Sequence, residues 1–324
     1  MNRIGKCLVA VLVTVLLLMS LGGLAGCDRH GGSTWTAMDS GTTARLNGIW
    51  GSSSSDVFAV GMDLDSWNGV ILHYDDSTWS AMTSSSSSLL HGIWGSSASD
   101  VFAVGVGGTI LHYDGSTWIA MTSGTTQWLR AVWGNSGSDV FSVGNSGTIL
   151  HYDGNTWNTI ASTATGNLCG VWGSSGSDVF AVGEHEGSGN AILSAENDII
   201  LHYDGNIWSA EFNSTSSPKG VWGSSSSDVF AVGYPGIFVR CEGSGWRPME
   251  IPIGTRTAYF SSAWGSSSSD VFAVGNSGTI FHYDGSTWSA MTSGTTSFLS
   301  GVWGSSATDV FAVGDGGTIL HYGG

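Results

Sequence analysis

Acid–base chemistry has one candidate home in this chain: Glu184, His185 and Glu186, consecutive in sequence, with His91 as a more distant partner. Two carboxylates about 5–10 Å apart across a pocket could cleave a glycan, a histidine moving the proton. Metal chemistry has two candidate sets. One is His73, His112, His151, His202, His282 and His321; the other is Asp56, Asp100, Asp139, Asp178, Asp228, Asp270 and Asp309. A metal ion needs several such groups within about 2–2.5 Å. Whether either set can converge depends on the elements that carry it.

Those elements repeat. A phrase close to Trp-Gly-Ser-Ser-Ser-Ser-Asp-Val-Phe-Ala-Val-Gly begins at Trp50, Trp94, Trp133, Trp172, Trp222, Trp264 and Trp303. Spacings of 39 to 50 residues suit propeller blades. In the unit around Trp133, Leu129 to Gly134, Val140 to Gly144, Thr148 to Tyr152 and Thr156 to Ile160 read as four short strands between Gly/Asn/Asp/Ser turns. The second strand, usually Val-Phe-Ala-Val, is apolar on both faces and must be covered on both. The last unit stops at His321-Tyr322-Gly323-Gly324 without a fourth strand, while Ser33-Thr34-Trp35-Thr36-Ala37-Met38 is a fourth strand with no unit before it. The expected fold is therefore all-β: a seven-bladed β-propeller of four antiparallel strands per blade, over residues 33–324, its ring closed by the N-terminal strand. On such a ring the seven aspartates lie in seven different blades and cannot meet at one ion. They are expected to accept N–H bonds of their own Ser-rich turns, and the histidines to hydrogen-bond within or between blades. No metal and no cofactor is expected.

The units resemble bacterial propeller repeats of the Trp-Gly-Ser, Asp-Val-Phe-Ala-Val-Gly, Gly-Thr-Ile-Leu-His-Tyr-Asp-Gly type, and are loosely similar to Asp-box (BNR-type) and photosystem-assembly-factor propellers. Asp114-Gly115-Ser116-Thr117-Trp118 is one residue shorter than an Asp box. The arginine triad and Phe-Arg-Ile-Pro-like motif of sialidases that carry Asp boxes are missing. The resemblance implies a fold and little chemistry.

The N-terminus carries Arg3 and Lys6, an apolar stretch from Leu8 to Met19, and Leu24-Ala25-Gly26-Cys27. This resembles a bacterial lipoprotein signal peptide over residues 1–26, with Cys27 the lipidated residue and residues 27–32 a short linker. Asp28 after that cysteine resembles an inner-membrane retention signal in Gram-negative bacteria, which would place the domain in the periplasm. Cleavage leaves seven basic against 25 acidic residues. So acidic a chain argues against nucleic acid, and against contact with the membrane other than through the lipid. Cys169 and Cys241 occupy different repeat positions and are expected to be free thiols.

In near-identical repeats, the departures mark where a ligand could act. One series lies just inside the start of the innermost strand: Asn47, His91, Arg130, Cys169, Lys219, Ser261 and Ser300, expected to ring the channel mouth. A second set lies in loops on the same face: Asp63, Asp65 and Trp67 in one insertion, Glu184, His185 and Glu186 in another, and Trp128 in or beside a loop there. A third is the fifth unit, where Lys219, Arg240, Arg247 and Arg256 suggest a basic sector, Arg240-Cys241 standing where other units have His-Tyr. Three functions compete. The leading expectation is a monomeric, lipid-anchored, non-enzymatic module of the cell envelope that binds a protein or glycan through its loop face. The others are a glycan hydrolase or lyase, and a purely structural envelope protein.

Overall fold

The computed structural model describes residues 34–184, 198–214, 217–243, 245–252 and 257–323. Residues 1–33, with Cys27, and the loop residues His185, Glu186 and Arg256 lie outside that set. Seven four-stranded antiparallel sheets form the blades. In the third blade the strands are Leu129–Ser136, Asp139–Gly144, Ile149–Tyr152 and Trp157–Thr159, from the axis outward. The innermost strand runs two residues further than the sequence suggests, because Ser136 still pairs with Asp139 and the turn shrinks to Gly137-Ser138.

The second strands make the core. Val101, Phe102, Ala103 and Val104 are 0 or 1 % exposed, covered on both faces by neighbouring blades. Full burial of such a valine or phenylalanine contributes about 1.5–3 kcal/mol. Ring closure is observed: Thr34–Met38 pairs with Ile319–Gly323, from Thr34 opposite Gly323 to Met38 opposite Ile319, completing the seventh sheet.

Two repeated contacts explain the constant residues. Each inner-strand tryptophan lies over the glycine of the next blade's Trp-Gly pair: a Cβ added to Gly134 would sit 2.6 Å from the Trp94 ring, and one on Gly51 equally close to Trp303 across the closure. The glycine is required by this approach. Each repeated aspartate, in turn, is bonded differently from expectation. Asp56, Asp100, Asp139, Asp178, Asp270 and Asp309 hold the Nε2 of His73, His112, His151, His202, His282 and His321 at 2.6–2.7 Å. Their other oxygen takes a serine hydroxyl four residues upstream, such as Ser52 for Asp56, or the Asn135 amide for Asp139. The expected turn N–H bonds are instead accepted by a different aspartate in the hairpin before the outer strand. Asp114 accepts from Ser116 and Thr117 at 2.9 and 2.8 Å. Asp–His pairs therefore lock the second strand to the third within a blade. Among the described residues, no three His, Cys, Asp or Glu side chains gather where one metal ion could sit.

Candidate functional site

All seven channel-mouth residues line a single axial cavity of about 180 Å3. A shared backbone device puts them there. In every blade the pairing of the first two strands slips by one residue at this position, between Leu46 and Gly48, Leu90 and Gly92, Leu129 and Ala131, and the four counterparts. Asn47, His91, Arg130, Cys169, Lys219, Ser261 and Ser300 are thus the extra residues of seven β-bulges. A bulge frees its extra residue from the ladder and re-aims it. Beneath them, Ile49, Ile93, Val132, Val171, Val221 and Val302 form a nearly buried aliphatic collar.

The mouth is polar and unevenly charged. Lys219 Nζ donates to Glu184 Oε2 at 2.6 Å, and lies 3.9 Å from Cys169 Sγ. Burial opposes the charge on Glu184, but the Lys219 hydrogen bond and charge outweigh it and hold the carboxyl below its ordinary value. Burial pushes the Cys169 thiol up against the pull of Lys219 and Arg130, so it is protonated at neutral pH. Arg130 Nε donates to Asn145 Oδ1 at 2.6 Å. Burial, then the charges of Arg130 and Arg45, lower His91 to about 4. It is neutral at pH 7, and its Nε2 has no hydrogen-bond partner, nor has Ser300 Oγ. Asn47 and Ser261 reach across to neighbouring backbone, at Leu90 O and Leu299 O.

The loop residues split. Trp128 is 44 % exposed, yet its ring stacks on His91 with centroids 5.9 Å apart; it joins the loop face to the mouth. Trp67 is 68 % exposed at its hairpin tip. Asp63 shapes that hairpin, its carboxylate accepting from Asp65 N, Ser66 N and Ser66 Oγ, while Asp65 faces solvent. Glu184 joins the mouth through Lys219 rather than forming an acid–base pair with His91.

The basic sector is not one surface. Lys219 stands at the channel mouth. Arg240 lies near the opposite end of its blade, where Nε donates to Asp228 Oδ1 at 2.6 Å and the guanidinium covers Phe230 at 4.8 Å. It replaces the histidine of the Asp–His pair and is neutralised there. Arg247, across the strand pair from Arg240, is exposed.

A further group escaped the sequence reading except for Trp128. Two residues before each mouth position stand Arg45, Leu89, Trp128, Asn167, Ser217, Tyr259 and Phe298. Tyr259 packs on Phe298 with centroids 5.6 Å apart, the Arg45 guanidinium lies 5.6 Å over Phe298, and Tyr234, 48 % exposed on a neighbouring hairpin, packs on Tyr259 at 6.2 Å. Arg45 in turn meets Asp315 at 3.2 Å. This aromatic and cationic arc borders the mouth. The signal was available: the position varies between repeats as freely as the mouth residues do.

No protein-family model matches the sequence, and neither does any curated protein. Solved structures do match in fold. One described as YCF48 bound to D1 peptide superposes with a TM-score of 0.68 at 18 % identity, covering 90 % of this chain and 97 % of that one. YCF48 from Cyanidioschyzon merolae gives 0.67 at 14 % identity, over 90 % and 99 %. The WD40 propeller domain of Doa1 gives 0.72 at 11 % identity, over 90 % and 96 %. At such identities the likeness is one of architecture: the chain is a seven-bladed β-propeller with YCF48 and WD40 propellers among its structural neighbours.

Proposed function

We propose that this chain is a lipid-anchored, non-enzymatic binding module of the bacterial envelope, engaging a protein through the face that carries the channel mouth. One observation carries the reading. Seven nearly identical blades each project a bulge residue onto the same face, and the residues at that bulge and two positions before it vary from blade to blade, while the scaffold around them stays nearly constant, the fifth blade's Arg240-Cys241 being an exception. A rigid frame with variation concentrated on one surface is how binding sites are built on repeat scaffolds. Exposed Trp67, Trp128 and Tyr234, with Arg130 and Arg45 nearby, are the side-chain types that dominate protein interfaces. The peptide on the YCF48 neighbour adds an analogy of fold. Glu184, bound to Lys219 and held ionised, is poorly placed to act as a general acid, so the geometry favours binding over glycan cleavage.

The decisive experiment is affinity capture with the lipid-free domain from its native envelope, identification of the partner, and measurement of its Kd. Replacing Trp67, Trp128 and Arg130 together with alanine should weaken that Kd by at least about 30-fold while leaving the circular dichroism spectrum unchanged. An unaltered Kd would remove the loop face from consideration.

A further inference from the structure

Six of the seven blade interfaces are sealed by the same three rings. The second-strand phenylalanine of one blade meets the third-strand tyrosine and outer-strand tryptophan of the next: Phe58 with Tyr113 and Trp118, Phe141 with Tyr203 and Trp208. Phenol-to-phenylalanine centroid distances are 5.7–6.0 Å, and phenol-to-indole distances 5.2–5.4 Å. Where the bond is defined, the phenol donates to the carbonyl two residues on, as Tyr203 to Gly205 and Tyr283 to Gly285 at 3.0 Å.

The seventh interface, between the fourth and fifth blades, lacks the phenol. Cys241 occupies the tyrosine's register, opposite Val229 on one side and Trp246 on the other. Phe180 and Trp246 keep their places, 6.0 Å apart and edge to face. A cavity of about 530 Å3 opens here, lined by Phe180, Cys241, Trp246, Gly243, His202 and Glu211. Gly243 stands two residues after Cys241, where Gly205 and Gly285 supply the phenol's acceptor elsewhere. Here too Trp246 Nε1 gains a partner, Glu211 Oε2 at 3.2 Å, whereas the indole N–H groups of Trp79, Trp157 and Trp288 have none.

We propose that this cavity is a binding slot for a neutral phenol ring, supplied by a ligand in place of the missing tyrosine. The filled interfaces define the occupant: a planar ring between an indole and a phenylalanine, with its hydroxyl aimed at a glycine carbonyl as at Tyr203 and Tyr283. Offset aromatic contacts of this kind favour a ring over an aliphatic group of equal area, and the Gly243 carbonyl, at the position from which Gly205 and Gly285 accept a phenol elsewhere, favours a hydroxyl. The Glu211 carboxylate at the rim disfavours an anionic aromatic acid. The slot lies toward the end of the blades away from the channel mouth, so it is independent of the function proposed above.

p-Cresol, the tyrosine side chain with a methyl group, is the direct probe. Calorimetric titration of the folded domain should show saturable binding with Kd on the order of 1 mM or tighter, and toluene should bind at least several-fold more weakly. Cys241→Ala should retain p-cresol binding. Cys241→Tyr, which restores the missing ring, should abolish it and raise Tm by about 2–4 °C; Cys241→Phe serves the same purpose if the tyrosine variant folds poorly. Binding that survives the filled variants, toluene binding as tightly as p-cresol, or no saturation up to the solubility limit would each overturn the proposal. N-acetyl-tyrosinamide separates the sources: binding of both probes points to a tyrosine on a partner chain, and binding of p-cresol alone to a free small phenol.

Discussion

His202 has an acidic side chain at each ring nitrogen: Nε2 meets Asp178 at 2.7 Å, and Nδ1 meets Glu211 at 3.0 Å. Both nitrogens can donate only when the ring is cationic. The Glu211 hydrogen bond first, against burial, then the Asp178 bond, raises it to about 9. A histidine whose folded value lies above its unfolded value of about 6.5 stabilises the fold fully below 6.5 and loses that contribution as pH rises through 9. Nitrogen-15 NMR titration should therefore find His202 still protonated at pH 8. Glu211→Gln should bring its midpoint down toward 6.5 and flatten the stability change between those limits. The sequence displayed the aspartate and histidine series but not that they are each other's partners, because 12 to 24 residues separate them and only strand register brings them together. The same blindness made Arg240 look like a free cation. Once Asp228 is known to pair with whatever stands at the histidine position, an arginine there is bound to be neutralised.

Strands were legible because apolar runs and turn residues alternate so regularly; the bulges were not, because one extra residue leaves the apolar pattern almost unchanged. That slip turns Arg130 and its six counterparts toward the axis. It also makes the residue two places earlier, Trp128 or Tyr259, part of the same rim rather than of a connecting turn. Between blades, the Trp-Gly contact is the element that spaces one sheet from the next. Gly134→Ala should lower stability by about 1–3 kcal/mol, read by denaturant unfolding, since the new methyl meets the Trp94 ring at 2.6 Å and that ring is packed. In a Trp94→Ala background the same substitution should cost much less, because the obstructing ring is gone. Equal costs in both backgrounds would show that the spacing is set elsewhere.

The whole ring is closed by pairing its two ends, an arrangement visible in the sequence as one orphan strand and one incomplete unit. Partner and compartment were not legible to the same degree, since scaffold residues dominate the repeat and the candidate face depends on positions that vary. The proposed anchor is tested on the full chain: Cys27→Ala should abolish incorporation of labelled fatty acid and shift the protein from the membrane to the soluble fraction. Fatty acid incorporated at an unchanged level would exclude Cys27 as the attachment point. Closure also gives the molecule a heading. Thr34 pairs with Gly323, at the end where third strands finish and second strands begin, whereas the channel mouth lies where inner strands begin. The chain thus joins the ring from the side away from the mouth. A partner seated on the mouth would therefore occupy the face opposite the one where the closing strand begins.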